Sequence, residues 1–483
     1  LKVYNGFKGL IKNIGKDERA FLGFGMILIS VNATIGRGVT TMTAPHPAPI
    51  TLEEYAARRH RLWEAMVPNS IAIVPAAVAR IRNGDTEYPF CQDSDFYYLT
   101  GFEEPDAILV LVKETERAIL FSMPSDEKTA RWIGPRLGEK ALQQGMDEWH
   151  ALETWTTRLP LLMNNQSSVY YSMAVNHSLD HQVLKALKQV REKQRQVTYP
   201  FASFIELKPL IAALRVIKSE AELALMAYAA SVSGQAHRAV MQACKPGAFE
   251  YTLEATFVST CLAAGCRAMA YSPIVARGEN ACILHYTRNQ DQLVDGALLL
   301  MDAGAEYAHY AADITRTFPI NGRFSAEQRI VYDIVLAAQT AALSIIKPGL
   351  PWGDIQNTVV RSLVQGLLQA GIIAGSADEW INSKRYQAFY MHGSGHWLGL
   401  DVHDAGAYTE DGLSRLLQPR MVLTVEPGLY FSPECTEVEP RWRGIGIRIE
   451  DDVVVTETGY RCLSPDAPKT AEEIEAWMAK ASC

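Results

Sequence analysis

The chain has 483 residues, enough for two or three domains with sizeable cores, and its 48% hydrophobic and 21% charged content is ordinary for a globular protein. A net charge of −8, with no basic run and no RNA-binding signature, argues against a nucleic-acid surface. The eight cysteines are scattered with no Cys-x-x-Cys, so they read as free thiols in a reducing compartment rather than as a disulfide framework or a zinc knuckle.

No stretch reaches the roughly 18 apolar residues that a membrane-spanning helix needs. The nearest approach, 20–31, follows Lys16, Asp17, Glu18 and Arg19, and the acids in that flank do not suit a signal peptide. Met42, set before a proline-rich stretch, reads as a genuine start. Residues 1–42 are therefore expected to be an added or mis-started leader, and the protein cytoplasmic.

From 43 to 215 the pattern is that of an alternating α/β domain. Thr51-Leu-Glu-Glu54 is a capping box, and Leu52, Tyr55, Leu62, Trp63 and Met66 recur at helical spacing. Strands are predicted around 71–74, 96–99, 107–112 and 118–121, with Asn83-Gly84-Asp85 as a turn. Two stretches, 83–90 and 131–138, are unusual for pure scaffold and read first as loops.

The segment 216–483 carries an internal echo. Ser219-x-x-Glu222 caps a long helix ending at Lys245-Pro246-Gly247, and Ser325-x-x-Gln328 caps another ending at Lys347-Pro348-Gly349. Each is followed by a second helix stopping at Ala-Gly, at 264–265 and 370–371. Strands carrying His285 and His392 are expected next. Asp302 and Glu426 then end apolar runs at matching places, and Asp313 and Glu450 follow them in order. Two related halves, each giving two carboxylates to a shared cleft, account for this order.

The stretch 444–452 reads Gly-Ile-Gly-Ile-Arg-Ile-Glu-Asp-Asp and runs on into Val453, Val454 and Val455, as an interior strand would. At period two, Arg448 and Glu450 share one face. A charged pair on such a strand is costly without a counter-charge or a metal. Asp302, Asp313, Glu426 and His396 lie in similar settings, and four carboxylates with one imidazole can converge only if cations neutralise them. That is the ligand set of a two-metal hydrolytic site, with a bridging water made acidic by the ions. Oxygen donors with one His and no thiolate suit a hard ion such as Mn²⁺. No His-Glu-x-x-His, Gly-x-Ser-x-Gly or Gly-x-Gly-x-x-Gly competes with this reading. His285, His392 and His403 are candidates to polarise a carbonyl and hold an oxyanion.

These residues carry a resemblance. Leu-His-Tyr-Thr (284–287), Asp-Ala-Gly (302–304), Asp-Ile-Thr-Arg-Thr-Phe-Pro (313–319), His-Gly-x-x-His-Trp-Leu-Gly-Leu-Asp-Val-His-Asp (392–404), Leu-Thr-Val-Glu-Pro-Gly (423–428) and Gly-Ile-Arg-Ile-Glu-Asp (446–451) are similar to the Xaa-Pro aminopeptidases, which are pita-bread metallopeptidases. The likeness runs from about residue 51 to the C-terminus and includes Gln-x-Ser-Asp-Phe-x-Tyr-x-Thr-Gly-Phe at 92–102. Gly395 stands where the family pattern has serine, a departure expected to matter little.

The resemblance implies a creatinase-like α/β N-terminal domain (43–215) and an α+β pita-bread catalytic domain (216–483) with pseudo-twofold halves. It further implies two divalent ions, Mn²⁺ by expectation: Asp302 on one, His396 and Glu426 on the other, Asp313 and Glu450 bridging both. Glu426 would also take the proton of the attacking water, and His403 and His285 would engage the scissile carbonyl. His392 and Arg448 would shape the proline side. Trp132 would contact substrate across a subunit boundary, and Asp85 would reach toward the catalytic arginine. The expected partner is a peptide with proline second, cleaved by a homo-oligomer, dimer or tetramer. Prolidase, which cleaves Xaa-Pro dipeptides with the same ligands, is the close rival. A non-catalytic peptide-binding module is the remote one.

Overall fold

The computed structural model describes residues 46–192 and 198–480, so the leader predicted over 1–42 lies outside the described residues. The N-terminal half opens with helix α1 (Leu52–Ala65), where half of the predicted capping box forms: the Thr51 hydroxyl accepts from the Glu54 amide, but the Glu54 carboxylate accepts from Arg58 instead. Strands β1 (Ser70–Pro75), the exposed hairpin β2 (Ile81–Asn83) and β3 (Thr86–Glu87), and helix α2 (Ser94–Thr100) follow. Next come β4 (Ile108–Val112), β5 (Arg117–Ser122), α3 (Glu127–Ile133), β6 (Glu148–Ala151), α4 (Trp155–Met163), β7 (Ser168–Tyr170), α5 (His177–Glu192), β8 (Ser203–Ile205) and α6 (Lys208–Arg215).

Six of these strands form one sheet in the order β6-β5-β4-β1-β7-β8, antiparallel at β1–β4 and β4–β5 and parallel elsewhere. The central strands β1, β4 and β5 are buried and apolar along most of their length because both faces of the sheet are covered there. Ile71, Ile73, Val110 and Ile119 pack with Trp155, Leu159 and Val183 of the outer helices. Their neighbours Ala72, Val74, Leu109, Leu111 and Leu120 pack instead with Phe96, Leu99, Met226 and Leu398. The second set joins this sheet to the catalytic half.

One predicted strand is a helix. Residues 96–99 lie inside α2, whose N-terminus is capped by the Asp93 carboxylate accepting from the Phe96 amide and whose end is Gly101 at φ 63°. Phe96, Tyr97, Tyr98 and Leu99 are buried all round, so the run has no polar face from which a period could be read. The Asp cap and the glycine stop were the informative signals.

The catalytic half has helices α7 (Glu220–Ala243) and α8 (Glu250–Ala263), then β9 (Ala268–Met269), β10 (Ile274–Arg277), β11 (Leu298–Asp302), β12 (Ala305–Tyr307), β13 (Tyr310–Ala311) and β14 (Thr315–Pro319). The second set is α9 (Ala326–Ile345), α10 (Gly353–Gln369), α11 (Ala377–Asn382), β15 (Thr409–Glu410), β16 (Leu413–Ser414), β17 (Val422–Val425), β18 (Gly428–Phe431), β19 (Ile445–Arg448), β20 (Asp451–Val455), β21 (Tyr460–Cys462) and α12 (Ala471–Ala479). The two capping boxes predicted for this half both form, at Ser219 with Glu222 and at Ser325 with Gln328. In each half two packed helices precede a pair of antiparallel strands, β11 with β14 and β17 with β20.

The stretch 444–455 is not one strand. β19 pairs with β18, whereas β20 pairs with β17, and the chain changes partner at Ile449 and Glu450. There the Ile449 amide donates to the Pro427 carbonyl and the Glu450 amide to the Thr315 carbonyl, at 3.2 and 3.1 Å. Both amides are satisfied by loop and neighbouring-strand carbonyls, so the break leaves no orphaned donor. Among the described residues, no helix is long and apolar enough to cross a membrane.

Candidate active site

The four carboxylates sit where apolar strands begin or end. Asp302 closes β11 and lies opposite Thr315 of β14. Asp313 is two residues ahead of that strand, Glu426 follows β17, and Glu450 immediately precedes β20. The Asp-Ala-Gly motif has a steric reason. A Cβ on Gly304 would stand 1.7 Å from the Ala312 carbonyl oxygen, so only glycine lets the two segments bearing Asp302 and Asp313 approach.

His396 lies in the glycine-rich loop after α11. Its Nδ1 is 3.0 Å from the Trp397 carbonyl, which can only accept, so Nδ1 carries the proton and Nε2 faces the acids. Nε2 is 3.3 Å from Asp313 and 3.7 Å from Glu426. Ligand atoms of Asp313, His396 and Glu450 all lie within 4.8 Å of one another, and Asp302 and Glu426 line the same cleft of about 270 Å³. At Gly395 the loop approaches β17 closely: a Cβ there would stand 2.1 Å from the Thr424 carbonyl oxygen, so the backbone of this chain is set for glycine.

Electrostatically this cluster is unstable by itself. Burial, with Asp313 and Glu426 close by, pushes the Glu450 carboxyl well above the usual range. Burial likewise raises Asp302, although Arg448 opposes it, and brings Glu426 to about 7. Burial works against the charged form of His396, but Asp313 and Glu426 outweigh it and hold the imidazole at about 9. The Tyr271 hydroxyl lies 2.5 Å from Asp302 and 2.6 Å from Asp313, yet its single hydrogen serves one of them. The other oxygen still needs a proton or a cation.

Around the acids, Arg448 donates to Asp302 at 2.6 Å, to the Tyr430 hydroxyl at 2.9 Å and to Thr315 at 3.1 Å. Thr315 in turn donates to Glu450 at 2.7 Å. His392 Nδ1 faces the Gly393 carbonyl at 2.7 Å and must carry the proton, so its Nε2 accepts from Tyr430 at 2.8 Å. Burial and the nearby Arg448 lower His392 to about 4, which agrees with a neutral ring. His403 packs edge-on to His396, with ring centroids 4.3 Å apart, and is lowered by burial and by His396.

The structure thus brings together Asp302, Asp313, His396, Glu426, Glu450, His285, His392, His403 and Arg448 in one cleft. His285 and His392 reach it from loops, not from the strands predicted for them. Trp132 and Asp85 are not in it. Trp132 stands 85% exposed on α3, Asp85 is exposed in the turn between β2 and β3, and Arg448 finds its acid in Asp302. Sequence reasoning missed Tyr271, Thr315 and Tyr430, uncharged residues that hold the ligands. The one available signal was position: Thr315 lies inside the motif at 313–319, and Tyr430 two residues beyond the one at 423–428.

Comparison with known proteins agrees with this geometry. The model of metallopeptidase family M24 matches residues 224–457, and that of the aminopeptidase P N-terminal domain matches residues 55–170. The Xaa-Pro aminopeptidase of Escherichia coli K12 is 44% identical over 437 residues, covering 89% of this chain and 99% of that protein. The structure of the aminopeptidase PepP of Pseudomonas aeruginosa superposes with a TM-score of 0.88 at 45% identity, covering 91% of this chain and 100% of the other. A variant of E. coli aminopeptidase P in complex with substrate gives 0.87 at 44% identity, covering 90% and 100%. The fold is accordingly a creatinase-like N-terminal domain followed by a pita-bread domain. The chain belongs to the Xaa-Pro aminopeptidases of metallopeptidase family M24.

Proposed function

We propose that this chain removes the first residue of peptides whose second residue is proline, using two divalent ions held by Asp302, Asp313, His396, Glu426 and Glu450. The observation that carries the proposal is the crowding of four carboxylates and an imidazole in one cleft, where burial and mutual repulsion oppose ionisation. Cations fit that donor set. Asp313 and Glu450, whose ligand atoms lie within 4.8 Å of each other, would hold both ions, while Asp302 would hold one and His396 and Glu426 the other. The oxygen-rich set supports Mn²⁺. Bound there, two such ions would supply Lewis acidity and a water that is nucleophilic near neutral pH.

The chain's own residues supply the rest. Glu426 is placed to take the proton of the attacking water at a carboxylate oxygen and pass it to the leaving proline nitrogen. His403 and His285, at the cleft wall, would donate N–H bonds to the scissile carbonyl as its oxygen gains charge. Neutral His392, the Tyr430 hydroxyl and Arg448 form a fixed, hydrogen-bonded wall against which the proline ring would lie. Removing that wall's geometry would cost orientation rather than metal.

Compartment and assembly belong to the same proposal. The seven described cysteines, Cys91, Cys244, Cys261, Cys266, Cys282, Cys435 and Cys462, are all free, which supports a reducing compartment such as the cytoplasm. The exposed Trp132 and Ile133 on α3, and the exposed hairpin carrying Asp85, support a homo-oligomer in which these residues meet another subunit.

The test is substrate length. Protein loaded with Mn²⁺ should hydrolyse an Xaa-Pro-Xaa tripeptide at least about tenfold faster, in kcat/KM, than the matching Xaa-Pro dipeptide, a difference of roughly 1.4 kcal/mol. Preference for the dipeptide would make the protein a prolidase, and no cleavage of either would leave peptide binding alone.

A further inference from the structure

A second cleft, of about 320 Å³, adjoins the first at His403, which lines both. Its walls include Ala270, Ala311, Asp401 and Glu306. Glu306 lies on β12, the middle strand of a three-stranded sheet, with Ala311 of β13 opposite it on one side and Ala268 of β9 on the other. Neither alanine fills the space above its neighbour, so the carboxylate stands in an open channel between small side chains.

The carboxylate is half-buried and has no hydrogen bond or ion pair among the described residues; burial is the main cause raising its pKa. Nearby cations are already engaged. His309, at the tip of the same hairpin, pairs with Glu103 at 3.4 Å and packs on Tyr97. Arg215 is shared by Asp95, Asp401 and Asp404, and Lys218 is held by Asp404. Acid is in excess around the cleft, and Glu306, which His309 stabilises only through space, makes no direct ion pair among the described residues. A partly desolvated carboxylate of this kind is completed by a cationic ligand.

We infer that this cleft receives the side chain of the substrate's first residue and that Glu306 selects lysine or arginine there. The inference rests on the proposed Xaa-Pro cleavage. With the proline ring against His392, Tyr430 and Arg448, the residue before it projects from the other side of the scissile bond, past His403. The apolar wall at Ala270, Ala311 and Leu400 takes the methylene stem, and Glu306 meets the charged head.

The experiment compares Arg-Pro-Pro with citrulline-Pro-Pro, which has nearly the same shape without the charge. In Mn²⁺-loaded wild-type protein, kcat/KM should favour arginine by about tenfold, the scale of one charge-assisted hydrogen bond in a half-buried site. Glu306→Gln should bring the ratio close to one, while Glu306→Asp, which keeps the charge, should retain most of the preference. A ratio unchanged by Glu306→Gln, or an equal fall for both peptides, would overturn the inference. If wild-type protein cleaves neither peptide, the reaction itself is misassigned and the inference falls with it.

Discussion

Glu450→Ala and Asp313→Ala should each lower kcat/KM by at least about 10³-fold, or roughly 4 kcal/mol, and should reduce the metal retained after dialysis. Each residue occupies the middle of the cluster, within 4.8 Å of the other and of His396 at the ligand atoms, where one carboxylate would serve two ions. The metal-free fold should change little. Glu450 is a buried acid whose charged form is disfavoured by Asp313 and Glu426, so its removal relieves repulsion even as it empties a bond from Thr315. Metal analysis and thermal unfolding of the same preparations check both statements. Full metal content with normal turnover in either variant would remove the bridging assignment.

His403→Ala should lower kcat by roughly 10²–10³, about 3–4 kcal/mol, with metal content unchanged. His403 packs against His396 without entering the cluster of ligand atoms, and burial favours its neutral, N–H-donating form. A group that acts on the developing oxyanion costs rate, whereas a ligand costs occupancy as well. Measuring kcat and bound metal on one sample separates them. A variant with near-wild-type kcat, or with lost metal, would show that His403 has a different role.

Much of this architecture is written in local chemistry. Ser219 and Ser325 each stand three residues before Glu222 and Gln328, and both boxes close as side chain meets amide. Asp302 and Glu426 were legible because each ends an apolar run, and an acid at such a place has few reasons to be buried. What was hidden depends on tertiary partners. The uniformly apolar run at 96–99 has no period, so its helix is visible only through Asp93 and Gly101. The break at Ile449 and Glu450 follows from an exchange of neighbouring strands, which spacing within one segment does not encode. Tyr271 acts through a hydroxyl aimed at two distant aspartates, and nothing around it in sequence is charged but Arg267. Trp132 and Asp85 are exposed and lie outside the cleft that gathers the other candidates.

Two-ion catalysis is tested most directly by a Mn²⁺ titration of metal-depleted protein, with bound ion counted and cleavage of an Xaa-Pro-Xaa tripeptide followed in the same samples. Turnover should be negligible without metal and reach its full value as binding approaches two ions per chain. Full activity in chelated, metal-free protein, or metal binding that restores no Xaa-Pro cleavage, would contradict two-ion catalysis.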